Sequence, residues 1–237
     1  MSKKMKVDNK ISSKHSNWKF DKSVTKNFEK HVSKSVPFYE ISHKLTLNIS
    51  DFFLKNDSQY YDLGCSTGTL LKEMQARHKG KKIKFTGLDD SASMISKAKK
   101  FKAKNVNFKK QNLNKINFGK SDLITSLYCI QFLKPKYRQI LFNKIYKSLN
   151  WGGGFIMFEK IRGNDARFQD ILNFSYFDFK RESGLSSKEI INKELSLRGV
   201  MEPYTISANI DFMKRAGFKD IMPISQYLCF VGFLAIK

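Results

Sequence analysis

In this 237-residue chain, the stretch Asp62-Leu63-Gly64-Cys65-Ser66-Thr67-Gly68 has the residue types and spacing that point most directly to chemistry. Two glycines four positions apart permit a tight turn and a close backbone approach to a ligand. The helical pattern that follows would leave its first N–H groups free to receive a carboxylate or other anion. About 20–25 positions further on, at the close of a second apolar run, an acidic residue can accept both hydroxyls of a ribose. Asp89 in Leu88-Asp89-Asp90 fits that place. Its neighbour Asp90 either reaches the nucleoside edge or N-caps the next helix. After a third apolar run comes Gln111-Asn112-Leu113, where the Asn112 amide keeps an acceptor oxygen for a base, or serves as a polar turn residue. The spacing matches neither Gly-x-Gly-x-x-Gly nor a phosphate loop ending in Gly-Lys-Ser/Thr.

The elements that must position these residues follow from periodicity. QYYDLG, IKFTGLD, VNFKK, DLITSLYC and GGFIMFEKI read as strands. TLLKEMQARH, SASMISKAKKF and PKYRQILFNKIYKSLN read as helices, the last with Ile140, Leu141, Ile145 and Leu149 inward. Strands alternating with helices of this length imply right-handed crossovers and a parallel sheet. FKDIMPI and YLCFVGFLAIK then form a terminal antiparallel hairpin at the sheet edge, after a helix, ISANIDFMKRAGF, that ends at Gly217. Residues 18–55 and 163–216 are helical additions to a single domain over 16–237. Residues 1–15, rich in lysine and poor in apolar periodicity, read as a basic mobile tail.

Composition bounds the rest. The formal net charge is +23, from 44 basic and 21 acidic residues, a field that would attract polyanions or merely reflect lysine-rich composition. No run of 18 uncharged apolar residues is present, which excludes a membrane-spanning helix, and no signal-like apolar segment opens the chain. Cys65, Cys129 and Cys229 lie far apart, and the four histidines, all in the first third, have no metal-ligand spacing with one another or with a cysteine, so the spacing offers no metal site and no disulfide framework. A reducing, cytoplasmic setting follows as an expectation.

The glycine loop resembles motif I of class I S-adenosylmethionine-dependent methyltransferases. A longer ordered series, namely WKFDKSV, SVPFY, YDLGCSTG, LDDSASM, QFLKPKYRQILFNKIYKSLN, FEKI, DFKRESG, KRAGF and GFLAIK, is similar to the carboxy-S-adenosylmethionine synthase family over roughly residues 16–237. The resemblance implies a Rossmann-like, mostly parallel seven-stranded α/β sheet with helices on both faces. It implies S-adenosylmethionine, or its carboxylated derivative, as cofactor without a metal. Tyr39, Asp62, Gly64, Cys65, Ser66, Gly68, Asp89, Asp90, Asn112 and Leu113 would hold it. It also implies a homodimer that uses prephenate and serves tRNA wobble-uridine modification.

The chain departs from that family at three positions. Asn112 stands where the family has Asp, and Leu127 where it has Asn. An arginine that binds the transferred carboxylate falls at Glu194, which reverses the local charge. Arg198, four residues on, is the candidate replacement, unless it only pairs with Glu194 on the surface. Methyl transfer needs mainly alignment of donor and acceptor. Carboxylation needs a proton removed and a fixed cation as well. On sequence alone, methyl transfer to an unknown acceptor therefore ranks first and carboxy-S-adenosylmethionine synthesis second. A nucleic-acid-binding protein with a vestigial cofactor site ranks third.

Overall fold

The computed structural model describes residues 4–8 and 10–237. Seven strands form one sheet in the order β5-β4-β3-β6-β7-β9-β8, and two more form a separate hairpin. The central strand β3 (Gln59–Leu63) pairs in parallel with β4 (Lys84–Asp89) on one side and β6 (Ser121–Leu127) on the other. β5 (Val106–Lys110) closes one edge, parallel to β4. β7 (Leu149–Lys160) runs parallel to β6, and β9 (Phe230–Ile236) inserts antiparallel between β7 and the edge strand β8 (Asp220–Tyr227). The order in which strands are added reverses between β3 and β6, so their carboxyl ends flank the crevice in which open α/β sheets bind ligands.

Alternation along the strands feeds two cores. Leu63, Ile124, Phe155, Met157 and Phe233 face helices α5 (Pro135–Ser148) and α8 (Ile206–Ala216). Tyr60, Phe85, Leu123, Ile156 and Phe158 face α3 (Thr69–Arg77) and α4 (Ala92–Ala98). A strand side chain points to the opposite face at each step, so both faces need a helical cover. In α5 the buried arc runs through Arg138, Leu141, Phe142 and Ile145. Ile140, expected inward, is 47% exposed because it lies about 100° around the helix from Leu141.

Residues 4–8 and 10–15 depart from the mobile tail expected over 1–15; residues 1–3 and 9 lie outside the described residues. β1 (Met5–Asp8) and β2 (Ile11–Ser13) pair antiparallel, with Val7 and Ile11 buried. The hairpin joins Trp18, Val24, Met94 and Leu197 in a small core, and the Lys6 carbonyl accepts from the Asn192 amide at 2.7 Å. Val7 and Ile11 alone are too few for a sequence signal; burial came from a partner 186 residues away. Helices α1 (Lys22–Ser35) and α2 (Tyr39–Ser50), with α6 (Ala166–Glu182) and α7 (Ser187–Leu197), complete the structure. Asp21 caps α1, and Ser186 with Glu189 forms a reciprocal capping box on α7, so those two termini are set locally.

Candidate functional site

A cavity of about 550 Å³ opens at the carboxyl ends of β3, β4 and β6, within the usual size range of small-molecule sites. Tyr39, Asp62, Gly64, Cys65, Ser66, Asp89, Asp90, Asn112 and Leu113 all line it. Gly68 does not; it is the left-handed N-cap of α3, with φ +80°, and no side chain caps that helix. The first-turn N–H groups of α3 are left to an incoming group.

Both glycines make the expected tight turn with positive φ, and packing adds a second requirement. Gly64 has φ +76°, and a Cβ there would lie 2.3 Å from the Cys129 sulfur. A Cβ on Gly68 would meet the Phe108 ring at 2.7 Å. Close packing of the turn onto its own sheet, together with positive φ, demands glycine at both positions. Ser66 also adopts positive φ (51°), a strained setting for a residue with a side chain. One bond that holds it is its N–H to Asp89 Oδ2, at 3.0 Å.

Asp89 thereby ties two elements together. Its other oxygen accepts the Ser91 N–H at 2.8 Å, and Ser91, rather than Asp90, caps α4. Burial raises the Asp89 carboxyl, although both N–H groups favour its charged form. Each oxygen keeps a lone pair for a hydroxyl donor. Asp90 Oδ2 accepts from the Asn112 amide at 3.3 Å, and Asn112 Oδ1 accepts the Asn114 N–H at 2.9 Å, so Asn112 both lines the cavity and caps a 3-10 turn. Asp62 is fully enclosed, and burial raises its carboxyl to about 6 even though the Thr125 hydroxyl donates to it at 2.9 Å. Burial pushes the Cys65 and Cys129 thiols well up, which leaves them protonated and poor nucleophiles.

The N-terminal addition roofs the site. Thr67 in the glycine turn and Thr69 at the start of α3 donate to the Glu29 carboxylate of α1. Trp18, Phe20, Phe28 and His31 line the cavity from above. His31 stacks on Trp18, and its Nδ1–H donates to Asp8 at 2.8 Å. Sequence reading missed this His–Asp pair because Asp8 falls in the stretch read as a tail. From below come Tyr39, which packs on His43, and Tyr128, which has φ +56° at the end of β6.

Sequence reading also missed a cluster of cations. Lys160 at the end of β7, Lys180 on α6 and Lys193 on α7 all line the same cavity, with Glu194 among them. Lysine is so abundant in this chain that nothing in its pattern marks these three. Arg198 does not line the cavity. Helix α7 ends at Leu197, Arg198 is its extended C-cap, and Gly199 turns the chain away with φ +69°. Glu194 pairs with Lys180 at 2.8 Å instead of with Arg198.

Comparison with known proteins fits this geometry. A family described as "Methyltransferase domain" matches residues 61–153, the span from the glycine turn into β7. The chain is 37% identical over 222 residues to the carboxy-S-adenosyl-L-methionine synthase of Staphylococcus epidermidis, with 93% of this chain and 97% of that protein covered. The chain belongs to the carboxy-S-adenosyl-L-methionine synthase family. The Nautilia profundicola member is 35% identical over 98% of this chain and 99% of its own length. Among solved structures, human N-acetylserotonin methyltransferase with S-adenosylmethionine gives a TM-score of 0.63 at 18% identity, covering 92% of this chain and 56% of that one. The plantazolicin methyltransferase BpumL gives 0.64 at 17% identity, with 90% of each chain covered. These structures share the fold of this chain, a Rossmann-like methyltransferase fold. Members of the carboxy-S-adenosyl-L-methionine synthase family are S-adenosylmethionine-dependent transferases, and this chain is one. Among the described residues no helix is long and apolar enough to cross a membrane.

Proposed function

We propose that the protein converts S-adenosylmethionine into its carboxylated sulfonium derivative, with prephenate as carboxyl donor. The observation that carries this reading is the lysine cluster: the side chains of Lys160, Lys180 and Lys193 line the cavity that the glycine turn and Asp89 also line. Loss of the expected arginine ranked methyl transfer first on sequence; Lys160, Lys180 and Lys193 supply cations in its stead. When bound, the cofactor would supply an activated methyl carbon; in this reaction that carbon would lose a proton and gain carbon dioxide, while the donor aromatises to phenylpyruvate by expelling its ring hydroxyl, which takes the released proton and leaves as water.

The residues divide the work. Asp89 accepts the ribose hydroxyls while anchoring Ser66, and Asp90, Asn112 and Leu113 border the adenine. Asp62, Tyr39, Gly64, Cys65 and Ser66 surround the methionyl portion. The uncapped α3 N-terminus takes the cofactor carboxylate. The lysines hold the donor's carboxylate and its transferred carbon dioxide by charge-assisted hydrogen bonds. Trp18, Phe20 and Phe28 roof the cavity with apolar surface.

Incubation with cofactor, with and without prephenate, followed by mass spectrometry tests the reading. The expected product is the sulfonium compound heavier by one carbon dioxide, formed only when prephenate is present. Its absence, with a methylated acceptor found instead, overturns the reading in favour of simple methyl transfer.

Asp62 adds a pH signature. Its carboxyl titrates at about 6, so it is an anion facing a cationic cofactor above that pH and neutral below it. Cofactor affinity measured by calorimetry should fall as pH drops from 7 to 5, and Asp62→Asn should bind more weakly with a flatter profile. An unchanged affinity across that window would remove Asp62 from the site.

On the same footing we assign the product to tRNA wobble-uridine modification in the cytoplasm, by a homodimer. Two features support the last two assignments. Three free thiols suit a reducing compartment. Phe168, Ile171 and Phe174 form an exposed apolar stripe on α6 fit for a second copy.

A further inference from the structure

Lys180 and Glu194 form an ion pair inside the proposed active-site cavity. The two partners are held very differently. The Lys180 side chain is only 5% exposed and lies over the Tyr176 ring at 4.1 Å from its centroid. Lys160 lies over the same ring at 4.6 Å, and Lys193 lies over Trp18. These three cations are seated by aromatic faces and packing. The Glu194 side chain is 48% exposed, and its contact with Lys180 is its one hydrogen bond among the described residues. Burial pushes its carboxyl up, but Lys160, Lys180 and Lys193 outweigh that and hold it below the ordinary range. Three lysines thus share one carboxylate; burial disfavours the charged form of Lys180 and most of all of Lys193, the nearby Glu194 carboxylate opposes that, and the carboxylate is the more exposed partner of the pair.

We propose that Glu194 is a specificity-determining residue: its carboxylate occupies the anion seat on Lys180 inside the cavity, and a ligand carboxylate must displace it to bind there. The proposal rests on the reading above that the lysines receive a carboxylate. It adds that the chain carries its own competitor for that seat. A ligand that lacks the extra carboxylate leaves the Lys180–Glu194 pair intact; one that bears it trades one anion for another. The internal pair keeps buried Lys180 from facing the cavity unpaired, which would be costly. It also lowers the affinity for carboxylated ligands and eases their release. Glu194 acts by competition, without touching the reacting atoms, so its effect reads out in the ratio of two affinities.

The test uses the full chain and two probes in calorimetry: S-adenosylmethionine, and the carboxymethyl sulfonium made by alkylating S-adenosylhomocysteine with iodoacetate. Glu194→Gln keeps a hydrogen-bond acceptor for Lys180 and removes the charge. It should tighten the carboxymethyl probe about tenfold and leave S-adenosylmethionine within about threefold, because only the first ligand competes. Lys180→Met should weaken the carboxymethyl probe and spare S-adenosylmethionine. A purely structural role predicts equal changes for both ligands, and a role in keeping the lysines charged predicts weaker binding of the carboxymethyl probe to Glu194→Gln. Either result overturns the proposal. Thermal melting identifies a misfolded variant, in which case Glu194→Asp, with its charge drawn back by one methylene, should shift the ratio the same way. Neither probe requires turnover. Selective tightening without carboxylation would fail the proposed function alone, whereas carboxylation without selective tightening would fail this proposal alone.

Discussion

Asp89→Ala should weaken S-adenosylmethionine binding about 100- to 1000-fold, the cost of two hydrogen bonds to a charged acceptor. The same change removes the acceptors of the Ser66 and Ser91 N–H groups. The strained Ser66 turn and the start of α4 then lose a shared anchor, so the affinity loss has a direct part and a positional part. Asp89→Asn separates them, because its amide retains one acceptor oxygen. It should fall between wild type and alanine in calorimetric affinity and near wild type in melting temperature. Binding of the alanine variant within threefold of wild type would show that the ribose lies elsewhere, and the assignment of the whole cavity would fail.

Glu159→Ala should cost about 4 kcal/mol of stability, from three buried N–H groups that lose their acceptor at once. Glu159, at the end of β7, is 2% exposed and accepts from Cys129 at 3.2 Å, Ile130 at 2.8 Å and Gln131 at 2.8 Å. That segment carries Tyr128, Cys129, Gln131, Phe132 and Leu133 into the cavity wall, so cofactor affinity should fall with stability. Burial lifts the Glu159 carboxyl from 4.5 to about 8, although the three donors and Arg138 favour its charged form. The folded state therefore binds a proton that the unfolded chain releases between those two values. The stability this group contributes is complete below the lower value and is lost as pH rises through the higher one. Denaturant titrations of wild type from pH 5 to 9 should show that decline, and Glu159→Gln, which cannot titrate, should show a flatter profile. An alanine variant as stable as wild type would mean that the segment finds other acceptors.

Local signals carried much of the fold. The run VNFKK became β5 with the same bounds, because a short strand between turn residues has few alternatives. The five parallel strands and the terminal hairpin were legible in the same way, as was Gly217 at the end of α8. Of the ten cofactor-site candidates, nine line one cavity: eight because the carboxyl ends of adjacent parallel strands must lie side by side once the sheet forms, and Tyr39 from the start of α2. Gly68 is the exception, and its requirement comes from Phe108, a contact across the sheet that no local pattern encodes.

The amino-acid sequence by itself thus determined the alternation of strand and helix, the glycine turn and the acid at the end of β4. Each depends on neighbours within a few positions, where backbone preference and hydrophobic period act. Tertiary structure alone decided which charges share the cavity. Lys160, Lys180, Lys193 and Glu194 come from three elements, and Asp8 meets His31 from a hairpin whose apolar residues are too few to announce it. Sequence spacing placed Arg198 one helical turn beyond Glu194; the end of α7 at Leu197 put it outside. Electrostatics acts through space over a few ångströms, and such distances between remote segments exist only after the chain has packed.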